Sequence, residues 1–279
     1  MTKPGQTVPH TENQFALVTG ASSGIGEEFA RQLAARGYSL VLAARTLSKL
    51  EELRTELLAA HPEIAVHVIA CDLSVPGAAS VLMQQISTQK IEINVLINNA
   101  GFGLFGDFAE LDLNRQSEMI ALNMATLSEL AHLCLGPMLE RGRGSVLNIA
   151  STIAFFPMPY FAVYSASKAY VLSLSRALYA ECRPRGVHVM AVCPGATQTN
   201  FFNTAQMDAF AAGVRMQTSQ QAVTEAMRAW EKRHSIVVCG WFNRVGAMLA
   251  PFLPKRLFVI VAARYMLRLQ KARRNQSNR

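Results

Sequence analysis

Apolar runs alternate with amphipathic stretches along most of this chain. Residues 15–19, 39–44, 65–70, 94–97, 145–149, 187–193 and 236–239 read as strands. Several are apolar without interruption, the pattern of parallel strands covered on both faces. Helical segments are predicted between them. Residues 24–36 end at Gly37, a natural C-cap, and 47–60 carry leucines at 47, 50, 53, 57 and 58, a helical stripe. Residues 117–135, 164–182 and 219–233 are further helices by the same reading. This alternation predicts an α/β fold: a single doubly wound parallel sheet with helices on both faces. The chain shows no internal repeat, and no linker before about Gly240.

Composition narrows the picture. The chain has 279 residues, 51% of them hydrophobic, enough for one large domain with a core. Five scattered cysteines form no CxxC pair, so free thiols in a reducing compartment are expected. Six histidines lack ligand spacing, and no metal is expected. Residues 1–14 are polar, contain two prolines and cannot supply the apolar stretch of a signal peptide. The net charge of +8 sits at one end. Residues 241–279 hold nine Lys/Arg and no Asp/Glu, against 18 basic and 19 acidic residues elsewhere. The charge therefore marks a tail rather than a basic domain.

The first strand runs into Thr19-Gly20-Ala21-Ser22-Ser23-Gly24-Ile25-Gly26. Glycines at 20, 24 and 26 let the backbone turn sharply and let a pyrophosphate approach the next helix N-terminus, where free N–H groups favour an anion. A glycine triplet alone is weak. Its place directly after the first apolar strand is the confirming context. The second strand ends at Arg45, where an NAD-binding domain would carry an acid for the ribose 2′-hydroxyl. A guanidinium suits a 2′-phosphate instead, with Ser22 and Ser23 as further donors, so NADP(H) is expected over NAD(H). The predicted organisation is a flexible N-terminal segment (1–14), a Rossmann-like catalytic domain (15–240) and a basic, partly apolar C-terminal extension (241–279).

With these residues in place, the chain resembles the short-chain dehydrogenase/reductase family over about residues 13–200. Residues 19–26 match the cofactor motif, and Cys71-Asp72-Leu73 match the acidic site beside the adenine. Asn98-Asn99-Ala100-Gly101 match the NNAG signature, Asn123 lies in the expected helix, and Ser151, Tyr164 and Lys168 match the catalytic serine and YxxxK pair. Pro194-Gly195 with Thr199 match the segment covering the nicotinamide. The resemblance implies an NADPH-dependent oxidoreductase. It also implies a homodimer or homotetramer formed through the helices that carry Asn123 and Tyr164. Lys168 would hold the nicotinamide ribose, and Asn123 would position a water in a proton relay to Lys168.

The chemistry of the residues agrees. Tyr164 and Lys168 are four apart and share a helix face. A free phenol has a pKa near 10, and a neighbouring ammonium should lower it. Ser151 would hydrogen-bond the substrate oxygen, and Tyr164 would donate the proton. The reverse reaction, an NADP⁺-dependent alcohol dehydrogenase, uses the same residues. A non-catalytic NADP(H)-binding regulatory protein is the rival of another class.

The segments expected to face substrate are apolar: Phe102, Leu104 and Phe105, then Phe155, Phe156, Met158, Tyr160 and Phe161, then Phe201 and Phe202. They suit a hydrophobic ketone or aldehyde, although such aromatics also serve as core or subunit interface. In the tail, apolar residues 245–253 and 257–263 fall short of the ~20 residues that span a bilayer. A basic amphipathic helix over about 255–274 would lie on an anionic membrane or pack on the protein. No groove-reading motif accompanies the charge, so no nucleic-acid partner is expected. The expected setting is cytoplasmic, either soluble or peripheral at the inner face of the membrane.

Overall fold

The computed structural model describes residues 14–199, 201, 216–252 and 254–277. The N-terminal segment 1–13 and Phe202 lie outside them. Seven parallel strands form one sheet in the order β3-β2-β1-β4-β5-β6-β9. These are β1 (Phe15–Thr19), β2 (Ser39–Ala44), β3 (Val66–Ala70), β4 (Ile93–Asn98), β5 (Gly144–Ile149), β6 (Val187–Cys193) and β9 (Ile236–Val238). All seven predicted strands are present, with ends displaced by a residue at most. A two-stranded parallel pair, β7 (Thr197–Gln198) and β8 (Gln217–Thr218), stands apart from the main sheet.

The uninterrupted apolar runs are explained by cover on both faces. In β1, Ala16 and Val18 point into one core layer and Leu17 into the other. The first layer is closed by α1 (Gly24–Ala34), α2 (Leu47–Ala60) and α7 (Ser219–Glu231), through Phe29, Leu33, Leu50, Leu57 and Met227. The second is closed by α3 (Ala78–Thr88) and α5 (Leu127–Arg141), through Leu82, Ile86, Leu130 and Met138, with α6 (Ala162–Cys182) beside them. α3 is an addition to the elements predicted from sequence. Its buried stripe of Ala79, Leu82 and Ile86 is narrow and diluted by Ser, Gln and Thr.

The helix expected over 117–135 is longer and not uniform. α4 (Leu113–Ile120) passes through a π-helical turn (Ala121–Thr126) into α5. Among the described residues Leu113–Arg141 is the one segment long and apolar enough to cross a membrane, and much of it is buried against the sheet. α7 opens with a reciprocal cap, in which Thr218 and Gln221 each accept from the other's backbone N–H at 3.1 Å. After β9 come α8 (Trp241–Leu249) and α9 (Lys255–Ser277).

β1 pairs with β2 on one side and β4 on the other, so chain direction across the sheet reverses there. The carboxyl ends of these strands part and leave the crevice in which ligands of doubly wound sheets bind. A polar tie crosses the core next to it. Asn98 Nδ2 donates to Leu127 O (2.8 Å) and Asn148 Oδ1 (3.2 Å), and Asn148 Nδ2 donates to Ser175 Oγ (3.0 Å). Replacing Asn148 by Ala should cost about 1–3 kcal/mol, since buried partners lose their bonds. The midpoint of urea unfolding measures it, and an unchanged midpoint would refute the tie's role.

Candidate active site

A cavity of about 660 Å³ opens at the switch point. Every residue expected to bind cofactor or react lines it except Gly26 and Asn123. Gly26 acts from behind. A Cβ there would lie 2.3 Å from Gly20 O, so only glycine lets α1 close on the turn. Gly20 and Gly24 have φ of +65° and +63°, which L side chains rarely adopt. Ser23 precedes α1 with extended backbone and does not cap it with its side chain. The first N–H groups of α1 therefore face the groove, a cradle that fits a phosphate.

The turn is stitched to β4 by Thr19 and Asn99. Thr19 Oγ1 donates to Ile97 O and accepts from the N–H groups of Asn99 and Ala100, both at 3.0 Å. Asn99 Nδ2 donates to Thr19 O (2.9 Å) and Gly20 O (3.3 Å). The Asn99 amide, expected to bind cofactor, therefore shapes the turn, and Thr19 is a partner the motif reading passed over. Arg45 stands exposed just after β2 and lines the same cavity as Ser22 and Ser23. Asp72 accepts from Ser74 Oγ (2.7 Å) and Ser74 N (3.0 Å), and these bonds hold its carboxyl below the usual range. Leu73 is buried, and its carbonyl accepts from Thr126 Oγ1 (2.8 Å).

Across the groove, α6 carries Tyr164 in its first turn and Lys168 one turn later. Both are nearly excluded from solvent. Lys168 Nζ donates to Ile149 O at 2.8 Å and lies 5.8 Å from the centre of the Tyr164 ring. Burial brings the Lys168 ammonium down to about 8. Burial also raises the Tyr164 phenol above its ordinary value, and a hydrogen bond with Ser151 pulls it back only in part. The expected lowering by the ammonium does not set this group; desolvation dominates, and the opposing influence is Ser151. Ser151 follows β5, and its Oγ also accepts from Ile153 N at 3.3 Å.

Asn123 sits fully buried in the π-helical turn. Its Nδ2 donates to Phe102 O (2.9 Å) and Ser167 Oγ (3.1 Å), and its Oδ1 accepts from Phe102 N (3.2 Å). The carboxamide clamps the loop after β4 to α6. Lys168 is close: a Cβ on Gly101 would lie 2.8 Å from Asn123 Oδ1 and 3.6 Å from Lys168 Nζ. Pro194 O accepts from Thr152 N at 2.9 Å, which holds the segment after β6 beside Ser151.

Beyond Tyr164 the cavity becomes apolar. Phe102, Phe156, Met158, Phe161 and Phe201 line it, with Leu104, Phe105 and Tyr160 packed behind. Phe155 instead packs beside Leu172 and Val171 under the sheet edge. Sequence reasoning missed the wall supplied by the C-terminal extension. Phe242, Asn243 and Gly246 of α8 and Phe258 and Met266 of α9 all line the cavity. Phe258 stacks on Phe156 at 4.9 Å, and Met266 is buried in the cluster that contains Tyr164. A Cβ on Gly195 would lie 2.2 Å from Asn243 Nδ2, so α8 packs directly on the segment after β6.

A groove of this shape, running from a glycine turn to a half-buried serine and a buried phenol and lysine, suits a nicotinamide dinucleotide lying beside a proton donor. The model described as short chain dehydrogenase matches residues 14–210, and the chain belongs to that family. A very-long-chain 3-oxoacyl-CoA reductase of Pyrenophora tritici-repentis is 38% identical over 181 residues, 64% of this chain and 53% of that protein. The chain thus spans about half the length of this curated relative. Among solved structures, a short-chain dehydrogenase from Sphingobium yanoikuyae in complex with NADPH aligns with a TM-score of 0.78 and 31% identity, covering 84% of this chain and 92% of that one. The bulky-bulky ketone specific alcohol dehydrogenase from Comamonas testosteroni aligns with a TM-score of 0.73 and 28% identity, covering 92% and 94%. Fold and family are those the motifs led to expect.

The lowered Lys168 has a measurable consequence. Below about pH 8 it is charged in both the folded and the unfolded chain. Between about 8 and its ordinary 10.5 the unfolded chain keeps a proton that the folded chain has released, so this contribution to stability rises with pH. The stability difference between wild type and Lys168→Met should therefore shift in favour of wild type across that window. Urea unfolding at both ends of it reads the shift, and a flat difference would count against a buried, proton-releasing lysine.

Proposed function

We propose that this protein reduces the carbonyl of a large, apolar substrate with NADPH. One observation carries the reading: Ser151, Tyr164 and Lys168 converge where a phosphate-binding groove meets an aromatic chamber. NADPH bound in the groove supplies the hydride. Gly20, Gly24 and the α1 N-terminus hold its phosphates. Arg45 with Ser22 and Ser23 takes the 2′-phosphate, and Asp72 and Leu73 border the adenine. Lys168 reaches the nicotinamide ribose, while Pro194, Gly195 and Thr199 cover the ring.

Ser151 and Tyr164 both donate to the substrate oxygen, and Tyr164 gives up its proton to it. Burial favours the neutral phenol, the form that donates to a carbonyl oxygen. Lys168, brought down to about 8, passes one of its own protons to the Tyr164 phenolate and regains one from solvent, with Asn123 fixing the loop and helix on either side of that path. The intact trio argues against a non-catalytic regulatory protein.

Support for a bulky apolar substrate comes from the aromatic lining. It comes also from relatives whose names specify a very-long-chain 3-oxoacyl-CoA and bulky-bulky ketones. In this reading the enzyme works in the cytoplasm as a homodimer or homotetramer. The outer faces of α4 to α6, where Leu113, Ile120 and Tyr170 stand exposed, form the subunit contact.

Tyr164→Phe should lower kcat about a thousandfold while NADPH affinity is retained. Following NADPH absorbance against a panel of ketones and aldehydes checks this, and retained turnover would refute the role. Arg45→Ala should weaken NADPH about tenfold or more and leave NADH unaffected, as expected for a lost charge-assisted bond. Titration of nicotinamide fluorescence with each cofactor reads the difference, and equal losses for both would remove Arg45 from the 2′-phosphate site.

A further inference from the structure

The C-terminal extension has two faces with opposite characters. On α9, Phe258, Val259, Ala262, Ala263 and Met266 are wholly or partly buried against the body, a stripe at helical spacing. The other side carries Leu257, Ile260, Val261 and Tyr265, each about half exposed or more, beside exposed Arg264 and Arg268. On the preceding segment Trp241, Met248 and Phe252 stand out at 62%, 73% and 82% exposure. Among the described residues, eleven of the eighteen exposed large hydrophobics fall between Trp241 and Leu267. So dense a patch on one short stretch marks an interaction surface.

Charge selects the occupant. Residues 241–279 contain nine basic side chains and no acidic one. Pairing this face with a second copy about a two-fold axis would set the same positive residues against each other. An anionic bilayer supplies the missing negative charge, takes up the apolar side chains, and accommodates Trp and Tyr at headgroup depth. The patch is also continuous with the cavity, because the inner face of the same helices is its wall.

We propose that α8 and α9 form a bilayer-docking arm. Its outer face lies in the headgroup region of an anionic membrane, and its inner face guides an apolar substrate from the lipid to Tyr164. The stacked pair Phe156–Phe258 stands at that passage. The proposal rests on the carbonyl-reductase reading for the nature of the substrate, but the docking is measured without turnover.

The test uses the full chain, vesicles of phosphatidylcholine alone, and vesicles with about one part phosphatidylserine in four. Wild type should sediment with the anionic vesicles and remain in solution with the neutral ones. Phe252→Glu/Ile260→Glu and Arg264→Glu/Arg268→Glu change only outward residues. Each should lose sedimentation, keep turnover of a water-soluble ketone, and lose about tenfold or more on a long-chain ketone dissolved in the vesicles. The proposal fails if wild type does not sediment or if the variants sediment unchanged. It fails too if the variants merely convert an oligomer to a monomer in sedimentation velocity without losing vesicle binding. A wild type that sediments yet oxidises no NADPH with any ketone would sink the catalytic reading and leave the docking standing.

Discussion

The ammonium of Lys168 is almost out of contact with water and donates to the carbonyl of Ile149 at the end of β5. A charge in that position is costly, and burial draws it toward neutrality, to about 8. The bond to Ile149 fixes the register of α6 against the sheet, and with it the place of Tyr164 one turn earlier. The phenol is shaped by the same desolvation in the opposite sense. A base that releases its proton easily and an acid that retains it are thus set on one helical face. That asymmetry belongs to the site as a whole rather than to either residue.

The sheet supplies the second constraint. Because β1 lies between β2 and β4, the turn after β1 and the loop after β4 must share one crevice. Thr19 and Asn99 join them with side-chain bonds to backbone. Gly26 lets the helix close on the turn at a distance no side chain would permit. The groove is therefore closely tied at the glycine turn. The chamber is built differently, from aromatic rings in tilted contact such as Phe105–Phe161 and Tyr164–Phe201.

Local features of the sequence were the legible ones. The strands could be read because cover on both faces makes their apolar runs continuous. Tyr164 and Lys168 could be paired because a helix brings residues four apart together. The direction of the Tyr164 shift could not be read, since the sequence displays the neighbouring lysine but not the burial that sets the phenol. Asn99 and Asn123 sit at motif positions, yet their amides are committed to backbone partners that only the folded loops provide. Phe258 and Met266 belong to no motif. They lie about a hundred residues from Tyr164 in the chain, and nothing short of the three-dimensional path reveals them as its neighbours.

The wall made by α8 and α9 also orders events in time. The glycine turn, the serine, the phenol and the lysine all precede residue 200, whereas Phe242, Phe258 and Met266 come later from a ribosome that builds from the N-terminus. A nascent chain therefore holds Ser151, Tyr164 and Lys168 while one side of the apolar chamber is still absent. Closure of the chamber waits on α8 and α9, and the aromatic interior lacks that wall until they are made.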